Sequence, residues 1–283
     1  MERTPLRRKN DILRLTWPIF IELLLQMLVG NADQIMVGWY DPNGVGAIGN
    51  ANQVTNLLLI VFSVVCTASM ILISQYLGAE DTERVNETYT LSLVVNCAFG
   101  LAIGVLLMAL CRPIFSLMRV PEEIMGDTCL YIRIIAGGLV FQSVYLTFTA
   151  FFRSNQMMKE TMAISVVVNL LNIGGNAVFI NGAFGLPALG VAGAAVSSDL
   201  SRVVGVLIIA WLFRRRFGPV LTLRHLRPFP KDQLRRLLRI GLPTGGESMS
   251  YSLSQVCLQA VCNNFALFVI NTRVYANMFA MLT

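Results

Sequence analysis

The sequence predicts an all-α polytopic membrane protein, and three observations carry that reading: an apolar excess, apolar runs of bilayer-crossing length, and no period-two alternation within them. Hydrophobic residues make up 55% of the chain and charged residues 13%, with a mean hydropathy of +0.64, well outside the balance of a soluble globular domain. A crossing helix takes about 20 apolar residues, so the chain has room for roughly seven spans plus loops. Continuous apolar stretches favour helices over barrel strands, which would alternate lipid-facing and lumen-facing residues.

Each span is an apolar run bounded by charged or turn-forming residues. The first is read at 12–38, behind the basic segment MERTPLRRKNDILR. That segment resembles the start of a signal peptide, but the run after it is too long and lacks small-residue cleavage chemistry, so it is read as a retained helix. The next spans are read at 50–78, 89–111, 129–152, 162–181 and 190–213, and a seventh at 239–270. An eighth begins near Val274 and runs about ten residues to Thr283, too short to cross.

Loop charge gives an orientation. Alternate connections carry five Lys or Arg before the first span (3, 7, 8, 9, 14), one in the second loop (84), two in the fourth (153, 159) and nine in the sixth (214, 215, 216, 224, 227, 231, 235, 236, 239). The opposite loops hold Arg112, Arg119 and Arg273. The positive-inside rule then places the N-terminus and the loop 214–239 in the cytoplasm of a multi-pass protein of the cell (inner or plasma) membrane. The same asymmetry accounts for the +6 net charge. A nucleic-acid partner is excluded because the basic residues lack interleaved aromatics and a soluble domain to present them.

An internal echo divides the chain. Arg14, Pro18 and Glu22 at the start of the first span match Arg239, Pro243 and Glu247 at the start of the seventh, both as R-x-x-x-P-x-x-x-E and each behind a basic segment. Register, topology and span number agree, which favours a parallel duplication of a six-span unit. The division expected is a six-helix lobe over 1–213, a basic cytoplasmic linker over 214–238, and over 239–283 the first helix and the start of the next helix of a second lobe. A complete pair would need about 450 residues. The chain is thus expected to be a piece of a longer protein whose C-terminal lobe is missing from it.

Ionisable groups in hydrocarbon cost about 2.5–3.5 kcal/mol on insertion scales, so those retained mark a partner or a wet cavity. In the first helix Glu22, Gln26 and Asp33 stand at i, i+4 and i+11, one stripe at 100° per residue. Asp33 is either an intramembrane ligand or an interfacial carboxylate; Glu22 either opens the stripe or pairs with the local arginines. In the fifth helix Asn169, Asn172 and Asn176 share a face, and their amide carbonyls are hard donors suited to a sodium ion. The alternative is that they hold helices together, at about 1 kcal/mol each. Gly174 and Gly175 allow a neighbouring helix close. In the sixth, Asp199 and Arg202 at i, i+3 neutralise each other, and Ser197 or Ser198 either bonds its own helix or completes an ion shell. In the seventh, Gln255, Gln259 and Asn263 step by four, as along a cavity wall.

Other chemistry finds little support. The six cysteines (66, 97, 111, 129, 257, 262) form no Cys-x-x-Cys pair, and the one histidine, His225, sits in an arginine-rich loop without ligand company. No nucleophile–base pair or metal cluster is visible, which argues against an enzyme.

The motifs, taken in order, resemble those of the multidrug and toxic compound extrusion (MATE) transporters: WPIFIELLLQMLVGNADQIMVG in the first helix, SQYLGAED closing the second, FFRSNQMMKETM between the fourth and fifth, NLLNIGGNAVFI in the fifth, GLPALGVAGAAVSS entering the sixth and IGLPTGGE opening the seventh. The resemblance covers nearly the whole chain. It implies a fold of two six-helix lobes around a central cavity, and an antiporter that exports small organic cations by alternating access against a sodium or proton gradient, with membrane lipid around it and no cofactor beyond the coupling ion. Family cation-site residues carry over onto Asp33, Asn172, Asn176 and Ser198. Position 176 is often aspartate in the family; asparagine leaves one carboxylate, which weakens a two-acid proton relay and permits sodium coordination. Glu22, Gln26, Asn169, Glu247, Gln255 and Gln259 are cavity or substrate candidates. A lipid-linked sugar or amphipathic lipid flippase is the alternative, set against by the scarcity of arginines within spans: Arg133 and Arg202 only, the latter with Asp199 beside it. A transport-inactive membrane fragment is the third reading.

Overall fold

The protein is described from a computed structural model, at residues 17, 20, 21, 33–182, 187–222 and 230–280; the side chains of Glu247 and of residues 278–280 lie outside the description. Helix α1 is described over 33–40. It is followed by α2 (Pro42–Gly78), α3 (Thr82–Leu117), α4 (Glu122–Ser154), α5 (Met158–Asn181), α6 (Gly190–Phe217), α7 (Lys231–Cys262) and α8 (Leu267–Ala280). Five of these, α2 to α6, are long and apolar enough to cross a membrane. The chain is an all-helical, multi-pass membrane protein.

Helices α2, α3, α4, α5 and α7 begin earlier than the apolar runs, and α6 begins where its run does. Hydropathy places the second span at 50, but α2 starts at Pro42, because Asp41 caps it by accepting the Asn43 N–H at 2.9 Å and proline suits the first helical position. Asp81 likewise accepts the Arg84 N–H at 3.1 Å and starts α3 at Thr82. These capped polar turns lie beyond the apolar windows that hydropathy detects.

The end of the chain differs more. The run read as one span over 239–270 is broken: α7 ends at Cys262 and α8 starts at Leu267, seven residues before Val274. Asn263 makes the break, since its Nδ2 donates to both Asn50 Oδ1 and the Met118 carbonyl, each at 2.8 Å. Helix α7 is not among the five crossing candidates, because TGGESMSYS fills its middle with small and polar residues. It nonetheless lies tight on α2: a Cβ on Gly241 would stand 2.7 Å from the Val64 backbone oxygen.

Two apolar clusters fill the bundle. One gathers Ile48, Phe115, Ile132, Ile180 and Ala194. The other is aromatic, with Tyr89, Phe148, Phe151, Phe152 and Phe213 at ring-centroid separations of 4.7–6.2 Å. Along α5 the order is Ile164 and Val168 in the aromatic cluster, then Asn172 and Asn176, then Ile180 in the other. Along α6 it is Ala194 and Ala195, then Ser197, Ser198 and Ser201, then Ile209 and Phe213. A polar layer therefore separates the clusters. Its level also holds Asn96 of α3, whose Nδ2 donates to Thr147 Oγ1 at 2.8 Å and to Cys66 Sγ at 3.3 Å, joining α2, α3 and α4.

The turns after α2, α3 and α4 share one geometry. Glu80, Arg119 and Gln156 have φ of 59°, 55° and 61°, and the next residues' N–H groups reach back to Tyr76, Phe115 and Phe152 carbonyls at 2.9–3.0 Å. This is the Schellman ending, normally built with glycine because a Cβ is strained in the left-handed region. Replacing the exposed Gln156 with Gly is expected to stabilise the protein by up to about 1 kcal/mol, read as a higher unfolding midpoint in detergent, whereas Gln156→Val is expected to lower it.

Candidate cation site

The polar layer becomes a site where α5 and α6 meet α1. Helices α5 and α6 approach closely because two glycines allow it. A Cβ on Gly193 would stand 2.5 Å from the Phe179 carbonyl oxygen, and a Cβ on Gly175 would occupy the place of the Ser197 hydroxyl. Ser197 Oγ accordingly donates to the Asn172 carbonyl at 2.8 Å, tying α6 to α5. Residues 172 and 176 lie one turn apart on the buried face of α5.

On that seam Asn172 Nδ2 donates to Ser198 Oγ at 3.0 Å, and Ser198 Oγ donates in turn to Asp33 Oδ2 at 3.4 Å. Asn176 Nδ2 donates to the other Asp33 oxygen, Oδ1. The carboxylate of α1 thus receives one donor on each oxygen, from two different helices. Both amides spend their N–H groups inward on this chain of bonds. The carbonyl oxygens Asn172 Oδ1 and Asn176 Oδ1 are left buried with no hydrogen-bond donor among the described residues. A buried acceptor without a donor costs about 1–3 kcal/mol, and a cation removes that cost. One carboxylate, two amide carbonyls and a hydroxyl are hard oxygen donors that fit a sodium ion better than any soft metal.

Asp33, Asn172, Asn176 and Ser198, singled out from the sequence, are brought together here. The other candidates are not. Asn169 shares the α5 face, but its Nδ2 is buried with no partner among the described residues. Gln255 accepts from Arg273 Nη2 at 3.3 Å, and Gln259, fully buried, donates to Asn263 Oδ1 at 3.3 Å. These two belong to the hydrogen-bonded contact around the α7–α8 turn rather than to a cavity wall. Glu22 and Gln26 lie outside the described residues, and Glu247 falls in α7 with its side chain outside them.

The surroundings of Asp33 also hold contacts that the sequence does not show. Arg202 Nη1 is 3.3 Å from Asp199 Oδ1, as the i, i+3 spacing predicts, but Arg202 also lies within electrostatic reach of Asp33. Asp199 is received by α4 at Gly138, where a Cβ would overlap its carboxylate. Tyr131 of α4 is buried within electrostatic reach of Asp33, Asp199 and Arg202. Nothing in the apolar run around Gly138 announces which helix it faces.

The MatE family model matches residues 18–178, which include Asp33, Asn172 and Asn176. The chain belongs to the MatE family. Among MatE relatives, it is 34% identical over 279 residues to the uncharacterized transporter YisQ of Bacillus subtilis (strain 168), an alignment covering 99% of this chain and 61% of that protein. It is 31% identical over 257 residues to a probable multidrug resistance protein NorM of Thermotoga maritima, covering 89% of this chain and 54% of the relative. Among solved structures, the inward-facing conformation of a multidrug resistance MATE family transporter of the MOP superfamily superposes with a TM-score of 0.82 at 25% identity, covering 96% of this chain and 61% of the other. The crystal structure of MATE in the bent conformation gives 0.79 at 27% identity over 87% of this chain and 55% of the other. The chain spans between half and two thirds of the length of these relatives.

The two α5 glycines separate packing from propensity. Gly175→Ala displaces Ser197 and is expected to cost about 1–3 kcal/mol, whereas Gly174, with open space where its Cβ would lie, is expected to tolerate alanine without loss. Thermal unfolding of the two purified variants in the same detergent checks the contrast.

Proposed function

We propose that this chain supplies the cation-coupling lobe of an antiporter that exports small organic cations by alternating access. The observation that carries the reading is the Asp33 carboxylate bonded by Asn176 and Ser198 beside two buried, donor-free amide oxygens. The names of the MatE relatives, several of them multidrug resistance proteins, favour drugs as cargo. Residues 1–213 form the coupling lobe, 214–238 a cytoplasmic linker and 239–283 the start of a second lobe, with the N-terminus cytoplasmic in the cell membrane. The cargo path is completed by residues equivalent to those of the longer relatives.

In this reading a cation replaces the Asn176 and Ser198 donors as the main partner of Asp33. Its arrival changes how α1 is bonded to α5 and α6, which biases the balance between the two access states. Release on the other side restores the donors. The residue set favours sodium over protons, because Asn176 cannot share a proton with Asp33 as a second carboxyl would.

Asp33→Asn is expected to abolish gradient-driven ethidium efflux from vesicles holding the transporter, with sodium and pH gradients imposed separately. Undiminished efflux under both gradients rules out the coupling role. Asp199→Asn frees Arg202 to compete for Asp33 and is expected to raise the sodium concentration for half-maximal efflux about tenfold, equivalent to about 1.4 kcal/mol; an unchanged value contradicts the part given to Asp199.

A further inference from the structure

A second polar feature lies on the outside of the bundle, away from Asp33. A cavity of about 410 Å³ is lined by Arg112 of α3 and by Glu122, Gly126, Cys129, Leu130 and Arg133 along one face of α4. Arg133 is exposed, although it stands inside an apolar span. With a hydrocarbon slab of about 30 Å and 1.5 Å rise per residue, roughly ten residues on either side of the α4 midpoint, near Gly138, lie in lipid. Arg133 is five residues from that midpoint, well inside the slab, whereas Arg112, about twelve residues from the midpoint of α3, falls at the polar boundary.

The guanidinium does not stay at the depth of its backbone. Arg133 Nε donates to Cys111 Sγ at 3.2 Å, which carries the charged end to the level of Arg112. That is the snorkelling geometry of a long cationic side chain at a membrane boundary. Arg112 and Arg133 both line this cavity, with Cys129 on its wall, so their charges share one space. Glu122 offsets one of them, at 3.7 Å from Arg112 Nη2, with both side chains more than two thirds exposed. Such an exposed pair contributes about 0–1 kcal/mol at most, and the cavity keeps a net charge of +1. Its apolar side is formed by Met125 and the exposed Leu130, and Met108, one helical turn from Arg112 on α3, is exposed as well.

A cationic pocket at the polar boundary, rimmed by exposed apolar side chains, matches a molecule with an anionic head and acyl chains. We propose that the α3–α4 cavity binds the phosphodiester of a bilayer glycerophospholipid, held by the guanidinium groups of Arg112 and Arg133 with its chains along α3 and α4. Guanidinium takes a phosphate through paired N–H bonds. Glu122 remains as an acceptor for a headgroup hydroxyl. The pocket is at the end of the bundle opposite Arg214–Arg216, so it recognises lipid in the leaflet away from the basic loop.

The test is native mass spectrometry of the full chain, delipidated in detergent and titrated with dioleoyl phosphatidylglycerol. One saturable lipid adduct is expected, at least tenfold weaker in the double variant R112Q/R133Q. Gly126→Leu, placed where a Cβ meets open space, fills the cavity without changing charge and is expected to weaken it comparably. Arg119→Gln, on the same turn but outside the cavity, is expected to leave it unchanged. Dioleoylglycerol and glycerol 3-phosphate, which lack the phosphate and the chains respectively, are expected not to compete. An adduct equally strong in R112Q/R133Q, equally weakened by Arg119→Gln, or displaced by dioleoylglycerol overturns the proposal.

Discussion

The structure depends on how one carboxylate is kept inside an apolar bundle. Among the described residues no basic side chain is bonded to Asp33; its oxygens are met by an amide from α5 and a hydroxyl from α6. Those donors must come from two helices at once, so α5 and α6 have to approach closely, and that requires the small residues at Gly175, Gly193, Ser197 and Ser198. Dipoles rather than a full countercharge hold the anion. An ion pair would satisfy Asp33 permanently, whereas neutral donors suit the exchange of a cation proposed for this carboxylate.

The apolar clusters above and below the polar layer serve the same constraint. They fix the levels of α5 and α6 through Ile164, Val168 and Ile180 on one and Ala194, Ile209 and Phe213 on the other. The aromatic rings of the second cluster and the Asn96–Thr147–Cys66 bonds hold α2, α3 and α4 as a backing. Arg202, a positive charge near Asp33, is occupied by Asp199, which in turn needs the space at Gly138. A single larger residue on α4 would reach the carboxylate of α1 through this sequence of contacts.

Much of this was legible in the sequence, for identifiable reasons. The existence of α2 to α6 follows from hydropathy alone; polar residues at helical intervals inside apolar runs mark the faces that carry Asp33, Asn172 and Asn176, and the grouping of these with Ser198 comes from the family resemblance. The starts of α2 and α3 lie before their apolar runs because the caps Asp41 and Asp81 act through local hydrogen bonds that hydropathy does not register. The break between α7 and α8 was invisible because Asn263 acquires its role from Asn50 and Met118, far away in the chain. Gly138 and Tyr131 were missed for the same reason: their importance lies in which helix they face. Arg133 was noticed as an anomaly, and only the position of Cys111 and Arg112 beside it gave the anomaly a use.

The central claim is that Asp33, Asn172, Asn176 and Ser198 form one cation site. Isothermal titration of the purified chain with sodium chloride, against choline chloride as the control, tests it most directly. The account predicts one saturable sodium site per chain, lost in Asp33→Asn and weakened at least tenfold in Asn172→Ala, with both variants retaining their helical content. Sodium binding of unchanged stoichiometry and affinity in Asp33→Asn would contradict it.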